Sequence, residues 1–253
     1  MHGTALANTK KHSHVVEQAY EKHKGGGMKR LAIIGPLLLI LVAITGCTLF
    51  NVNPSPNPTP QPGTILFFDG FEDEADPAWR PETIGTAQWG AENGTYGLKN
   101  PINDIPIRTF VGDSSWQNYR VEVDVIYNMS QGQWYWRANS VGTKVAVFLR
   151  VKDTSNMVAF FLNPGSTSSF QTMKDGIWTV ESEANTPGGS SLRLSVTVKG
   201  NTYTAFVNET QITSFDNLSQ NALNGYTGLQ MNYLNHFGYY AVTHFDNFRV
   251  TGL

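Results

Sequence analysis

Two aromatic-rich stretches carry residue types suited to binding sugars. Trp134-Tyr135-Trp136-Arg137 follows Gln131-Gly132-Gln133, and Tyr239-Tyr240 closes a polar run that begins at Asn232. Sugar rings present flat C–H faces that stack on aromatic rings, while Asn, Gln and Arg hydrogen-bond their hydroxyls. A site of this kind is an apolar platform with a few polar groups. In an extended stretch Trp134 and Trp136 share one face. The carbohydrate-binding candidates are therefore Trp134, Trp136, Arg137, Tyr239 and Tyr240. The competing reading is that these rings fill a core or cover its edge. Trp79, Trp89, Trp116 and Trp178 read as core or edge packing.

Other chemistries find less support. Glu122 and Asp124 lie two apart, on one face of an extended strand, and so would not bracket a glycosidic bond. Retaining glycosidases need their carboxyls about 5–5.5 Å apart on either side of it. These acids read as the polar outer face of a half-buried strand. Beyond residue 46 the histidines are His236 and His244, too few for a multi-His metal centre, and no Gly-x-Ser-x-Gly elbow is present. His244 reads as a sheet residue. The single Cys excludes an internal disulfide, a Cys-rich zinc site and a CxxC pair. Asp69, Glu72, Asp73, Glu74 and Asp76 crowd together, but no loop has EF-hand spacing.

The 253 residues carry 15% charged and 12% aromatic side chains and a net charge of −2. Six basic residues fall in 1–46 against Glu17 and Glu21, which leaves the remainder acidic. An acidic body does not track a phosphate backbone, so nucleic acid is excluded as a partner.

The first 63 residues read as an address and a spacer. Lys29 and Arg30 precede an apolar run over 31–44 that contains Pro36. Its 14 residues fall short of the roughly 20 that a spanning helix needs and suit a secretory leader. The run ends Ile44-Thr45-Gly46-Cys47, which resembles the lipobox of bacterial lipoproteins. In that family the Cys is diacylated and becomes the first mature residue. The resemblance implies a leader over 28–46, lipidation at Cys47 and a membrane held through that lipid. The alternative is an uncleaved membrane anchor with a basic cytoplasmic tail. Either places the body outside the cytoplasm, in a bacterial cell envelope on the lipoprotein reading. Residues 1–27 read as a disordered extension or as codons ahead of a start at Met28. Residues 47–63, with Pro54, Pro56, Pro58, Pro60 and Pro62, read as an extended tether of roughly 3.1 Å per residue.

The body, 64–253, reads as all-β. Ile65 to Phe68 is a short strand, and Tyr119 to Val125 alternates with its apolar residues at odd positions. Val145, Val147, Leu149 and Val151 repeat that pattern. Val158 to Leu162 is an unbroken apolar run that ends at Asn163-Pro164-Gly165, as a central strand would. Leu192 to Val198 leads through Gly200-Asn201 into Thr202 to Val207, a hairpin signal. Gly228 to Tyr233 and Ala241 to Val250 close the chain. No stretch sustains a 3.6-residue period, so a sandwich or barrel is expected.

Several phrases, in order, resemble the concanavalin A-like lectin/glucanase superfamily, including its laminin-G-like and 3-keto-disaccharide hydrolase relatives. They are Phe68-Asp69-Gly70-Phe71-Glu72-Asp73 with Trp79, then Glu92-Asn93-Gly94-Thr95, Trp116-Gln117-Asn118-Tyr119, Tyr203-Thr204-Ala205-Phe206 and Phe245-Asp246-Asn247-Phe248. The resemblance implies a jelly-roll sandwich of two antiparallel sheets. It also implies a structural calcium on which Asp69 or Glu72 meets Asp246. The competing reading is a solvated acidic loop with Asp246 at a β-bulge. Laminarinase-type hydrolases of this superfamily carry Glu-x-Asp-x-x-Glu, and Tyr127 stands here at the third acid position. The expectation is a non-catalytic, lectin-like module that binds a polysaccharide or glycan. The alternatives are a glycoside or keto-disaccharide hydrolase, and a protein-binding or structural envelope module.

Overall fold

Alternating apolar residues drive the strands together, and turn residues break them at short intervals. The computed structural model describes residues 61–253 apart from 101, 103–104, 130–144, 218–223, 233 and 237–238. The chain divides into two units, Met1–Val52 and Asn53–Leu253, and the described residues all belong to the second. The leader, Cys47 and the tether up to residue 60 lie outside the described residues. Among those described, no helix is long and apolar enough to cross a membrane.

The strands are β1 (Ile65–Asp69), β2 (Arg80–Pro81), β3 (Gln88–Glu92), β4 (Thr95–Lys99), β5 (Pro106–Val111), β6 (Tyr119–Met129), β7 (Val145–Asp153) and β8 (Asn156–Leu162). There follow β9 (Thr167–Lys174), β10 (Ile177–Asn185), β11 (Ser191–Lys199), β12 (Thr202–Val207), β13 (Thr210–Asp216), β14 (Tyr226–Asn232), β15 (Leu234–His236) and β16 (Tyr239–Gly252). They form two antiparallel sheets. One has the order β13-β12-β11-β6-β16-β4-β3, with β1 and β15 also on β16; the other runs β10-β9-β8-β7-β14-β5-β2. This is the expected sandwich. The strands read from the sequence are all present, and Val158 to Leu162 lies inside its sheet between β7 and β9. The short β2 and the edge strands β10 and β13 had no such signal, because an edge strand leaves most of its side chains in water.

The inner faces meet in one apolar core. Val121, Val123 and Val125 of β6 and Phe245 and Val250 of β16 face Val147 and Leu149 of β7 and Phe160 of β8. Trp79, Trp89 and Trp116 are buried in it, as read. Tyr96 stacks on Phe71 at 4.8 Å and on Trp89 at 4.9 Å between ring centroids. Such pairs add about 0.5–1.5 kcal/mol each beyond area burial.

One expected alternation fails. Val145, Val147 and Leu149 face the core, but Val151 belongs to a cluster on the opposite face with Ala146 and Phe148. A bulge breaks the β7–β8 register between Leu149 and Asp153, and Arg150 adopts φ +48°. The extra residue turns Arg150 inward and re-aims Val151. The buried guanidinium then ties the sheets together. Its Nη2 and Nε donate to Gln117 O at 2.7 and 3.1 Å, and Nη1 donates to the Tyr203 hydroxyl at 3.2 Å. Arg150 N donates to the Tyr119 hydroxyl at 2.8 Å.

The described chain enters the domain beside its last strand. Gly63 N donates to Gly252 O and Gly252 N to Thr64 O, both at 2.9 Å. β6 then runs the length of the domain, from Tyr119 opposite Gly252 to Met129 opposite Ala241.

Two hydroxyl deletions and one charge deletion should separate these roles in urea denaturation. Arg150→Met should cost about 3 kcal/mol, because it leaves buried acceptors unpaired. Tyr119→Phe should also destabilise. Tyr127→Phe should be neutral or stabilising, because the buried Tyr127 hydroxyl has no hydrogen-bond partner. Burial alone raises its pKa above the ordinary tyrosine value.

Candidate functional site

The outer faces of the two sheets differ in kind. On the nine-stranded sheet the outer face is charged. Arg193 reaches Asp124 at 2.9 Å and Glu122 at 3.8 Å, and Arg120 reaches Glu122 at 3.3 Å. Glu122 and Asp124 thus occupy the polar outer face expected of them and are engaged by arginines. His244 sits on this sheet, half-buried, with Nδ1 3.4 Å from Thr95 Oγ1 and its pKa lowered by burial.

The outer face of the seven-stranded sheet is apolar. β7 and β8 are apolar on both sides, which is the pattern of strands covered on both faces. Ala146, Phe148, Met157, Ala159 and Met173 form its buried floor, and the partly buried Phe110, Phe161, Trp178 and Tyr226 pack around them.

Strand register orders these side chains into rows. One row runs from Arg80 through Phe110, Gly228, Phe148, Ala159 and Gln171 to Val180. The neighbouring row holds Arg108, Gln230, Ala146, Phe161, Ser169 and Glu183. On the other side lie Tyr226, Met157, Met173 and Trp178. Gly228 lets the Phe110 ring lie across the backbone: a Cβ there would stand 2.7 Å from Phe110 Cδ1 and 2.3 Å from Thr109 O. Phe110 meets Phe148 at 5.6 Å, and Phe161 meets Trp178 edge-on at 5.3 Å.

Polar groups stand at the flanks of this apolar centre. Arg108 Nε donates to Gln230 Oε1 at 3.3 Å, and its Nη1 is 4.0 Å from Glu82 Oε1. Gln171 Nε2 donates to Ser169 Oγ at 2.9 Å. Arg80 lies over the Tyr226 ring at 4.8 Å. Half-exposed rings beside a few oriented hydrogen-bonding groups can stack on a ring and hold its hydroxyls.

The sequence candidates meet this geometry unevenly. Trp134, Trp136 and Arg137 lie outside the described residues. Tyr239 and Tyr240 begin β16, opposite His236 and Asn235. Phe110, Arg108, Tyr226 and Gln230 were not singled out, and Trp178 was read as packing. The signal that could have found this face is Ala146 and Phe148 between Val145, Val147 and Leu149, which makes β7 apolar on both sides.

The acids expected to share a calcium do not form a cage. Asp69 is buried, and its Oδ1 accepts from Phe71 N at 2.8 Å. Its Oδ2 accepts from Asp76 N at 2.8 Å and from Trp79 Nε1 at 2.9 Å. Three of the carboxylate's acceptor positions are thus used within the protein. Asp246 stands opposite Asp124 at a bulge, and its Oδ1 accepts from Asn247 N at 2.6 Å. Glu72 is exposed, with Oε2 beside Gly94. Among the described residues no three His, Cys, Asp or Glu side chains gather as a metal site.

No protein-family model matches the sequence, and no curated protein does either. Solved structures do match. A Bacillus subtilis protein of unknown function with a galectin-like fold aligns over 76% of this chain and 97% of its own, at 13% identity and TM-score 0.55. The VIP36 exoplasmic/lumenal domain, in its Ca2+/Man-bound form, covers 71% of this chain and 84% of its own, at 11% identity and TM-score 0.52. The Bacillus subtilis carbohydrate-binding module CBM66 covers 69% of this chain and 95% of its own, at 15% identity and TM-score 0.50. Likeness at such identities is a likeness of fold. The chain shares with these structures an all-β jelly-roll fold of two antiparallel sheets.

Proposed function

We propose that this chain is a lipid-anchored envelope protein whose domain binds glycans without cleaving them. The observation that carries the reading is the outer face of the seven-stranded sheet, apolar at its floor and rimmed by half-exposed rings. Trp134, Trp136 and Arg137 belong to the same reading through chain connectivity. The segment that holds them joins Met129 to Val145, and Val145 precedes Ala146 of the face. Met129 also stands opposite Ala241, next to Tyr240. Lipidation at Cys47 and the Pro-rich tether supply the anchor, on the strength of the sequence alone.

Among the described residues, the acids that border the face do not stand as a hydrolytic pair. Glu82 and Glu183 border the face at opposite flanks, beside β5 and on β10. Five strand spacings separate β5 from β10, about 24 Å. Glycosidase pairs stand roughly 5–9.5 Å apart. Glu122 and Asp124 are on the other sheet, bound to arginines.

Three measurements test this reading. On immobilised polysaccharides, Phe110→Ala with Trp178→Ala should weaken retention about a hundredfold, at about 1.4 kcal/mol per ring. Trp134→Ala with Trp136→Ala should weaken it further, and neither set should alter the absence of released reducing sugar. Unchanged retention in both sets would end the reading. Fractionation should find the chain with membranes and the Cys47→Ser variant in the soluble fraction. A chelator should leave the melting temperature unchanged, whereas Asp69→Asn should cost about 2 kcal/mol by weakening three hydrogen bonds to a carboxylate.

A further inference from the structure

This inference rests on the glycan-binding reading and deepens it. We infer that the glycan carries a single carboxylate, held beside Phe110 between Arg80 and Arg108, at the β2–β5 flank of the seven-stranded sheet. The ligand class is an otherwise neutral oligosaccharide with one acidic sugar.

Two guanidiniums stand around one ring. Arg80 of β2 is directly opposite Phe110 of β5, and Arg108 lies two residues from Phe110 on the same face. Each is seated on a different ring, Arg80 over Tyr226 at 4.8 Å and Arg108 over Phe148 at 5.6 Å. Strand register puts Tyr226 on one side of the Phe110 row and Arg108 on the other. A guanidinium stacked on a ring keeps its in-plane N–H groups for an acceptor, and its fork matches a carboxylate.

Those N–H groups are under-used within the protein. Arg108 Nε donates to Gln230 Oε1. The Glu82 carboxylate stands 4.0 Å from its Nη1, beyond hydrogen-bonding distance. The Arg108 side chain is only 18% exposed, so salt screens its charge weakly. Arg80 is exposed and, among the described residues, makes no ion pair; Asp113 lies close enough only to feel its charge.

The rest of the face sets the number of charges. The row that begins at Arg108 ends at the exposed Glu183 of β10. Five strand spacings, about 24 Å, separate the two ends. Between them the centre on β7 and β8 is apolar. A carboxylate is attracted at the first flank, costly to desolvate over the centre and repelled at the second. A polyanion, charged on every sugar, would gain at Arg80 and Arg108 and lose over the remainder.

The test uses the full-length chain in detergent. Its probes are a xylo-oligosaccharide bearing one glucuronate and sialyl-lactose, each beside its own carboxyl-reduced form. The two arms separate a uronate from a sialate, and polygalacturonate serves as the polyanion. At least one singly acidic probe should bind at least about tenfold tighter than its reduced form. That ratio should shrink in high salt. Arg80→Gln and Arg108→Gln should each bring it towards one. The ratio is taken within one variant, so a loss of folded protein does not move it. Equal affinities for the acidic and reduced forms would overturn the proposal and leave the glycan reading standing. So would a ratio that survives both substitutions, or polygalacturonate binding tighter than every singly acidic probe. If no probe binds, the glycan reading falls and this inference with it.

Discussion

The Arg150 guanidinium is where the two sheets are made to agree. It sits on one sheet, and its donors are used by the Gln117 carbonyl, in the loop that crosses from β5 to β6, and by Tyr203 of the other sheet. Getting it there requires an extra residue in β7 and a backbone angle that non-glycine residues reach at a cost of about 1–3 kcal/mol. The hydrogen bonds offset that cost. The same extra residue reverses the facing of Val151, so the apolar cluster outside the sheet depends on a polar contact inside it. Gly225 shows how tightly this corner is built: a Cβ there would stand 2.5 Å from Val151 O.

The two outer faces solve the problem of a sandwich surface in opposite ways. Arg120, Arg193, Glu122 and Asp124 make one face a lattice of paired charges that stays in water. The other face places Gly228, Ala146 and Ala159 where larger residues would block the rings around them. A sheet that needed only solubility would alternate apolar with polar on both β7 and β8. That these two strands do not is the physical reason to look there for a partner.

The fold was legible in the sequence to the degree that burial is periodic. Tyr119 to Val125 announces its inward face by alternation alone, and the Gly200-Asn201 bend announces its hairpin. Edge strands such as β10 had no such period, because water takes the place of a neighbour. The bulge at Arg150 was hidden for another reason. Its partners Gln117 and Tyr203 are remote in the chain, and a local pattern does not contain them. At Asp69 the acids were legible as a crowd, but the donors Phe71 N and Asp76 N that its carboxylate accepts from have no sequence signature. The aromatic candidates at Tyr239 and Tyr240 were legible as chemistry but not as position, and the rows around Phe148 were legible as neither until strand register brought them together.

The pairing of Gly63 and Thr64 with Gly252 has a mechanical consequence. A pull drawn along β1 from its N-terminal end would load the first strand against its neighbour. The load then falls on β1 against β16, whose partners Ile65 to Asp69 lie antiparallel to Phe248 to Thr251. Bonds perpendicular to the pull share it in shear and must fail together, whereas a strand pulled sideways would unzip them one at a time. For a pull in that direction, the chain enters its fold in the orientation that resists tension.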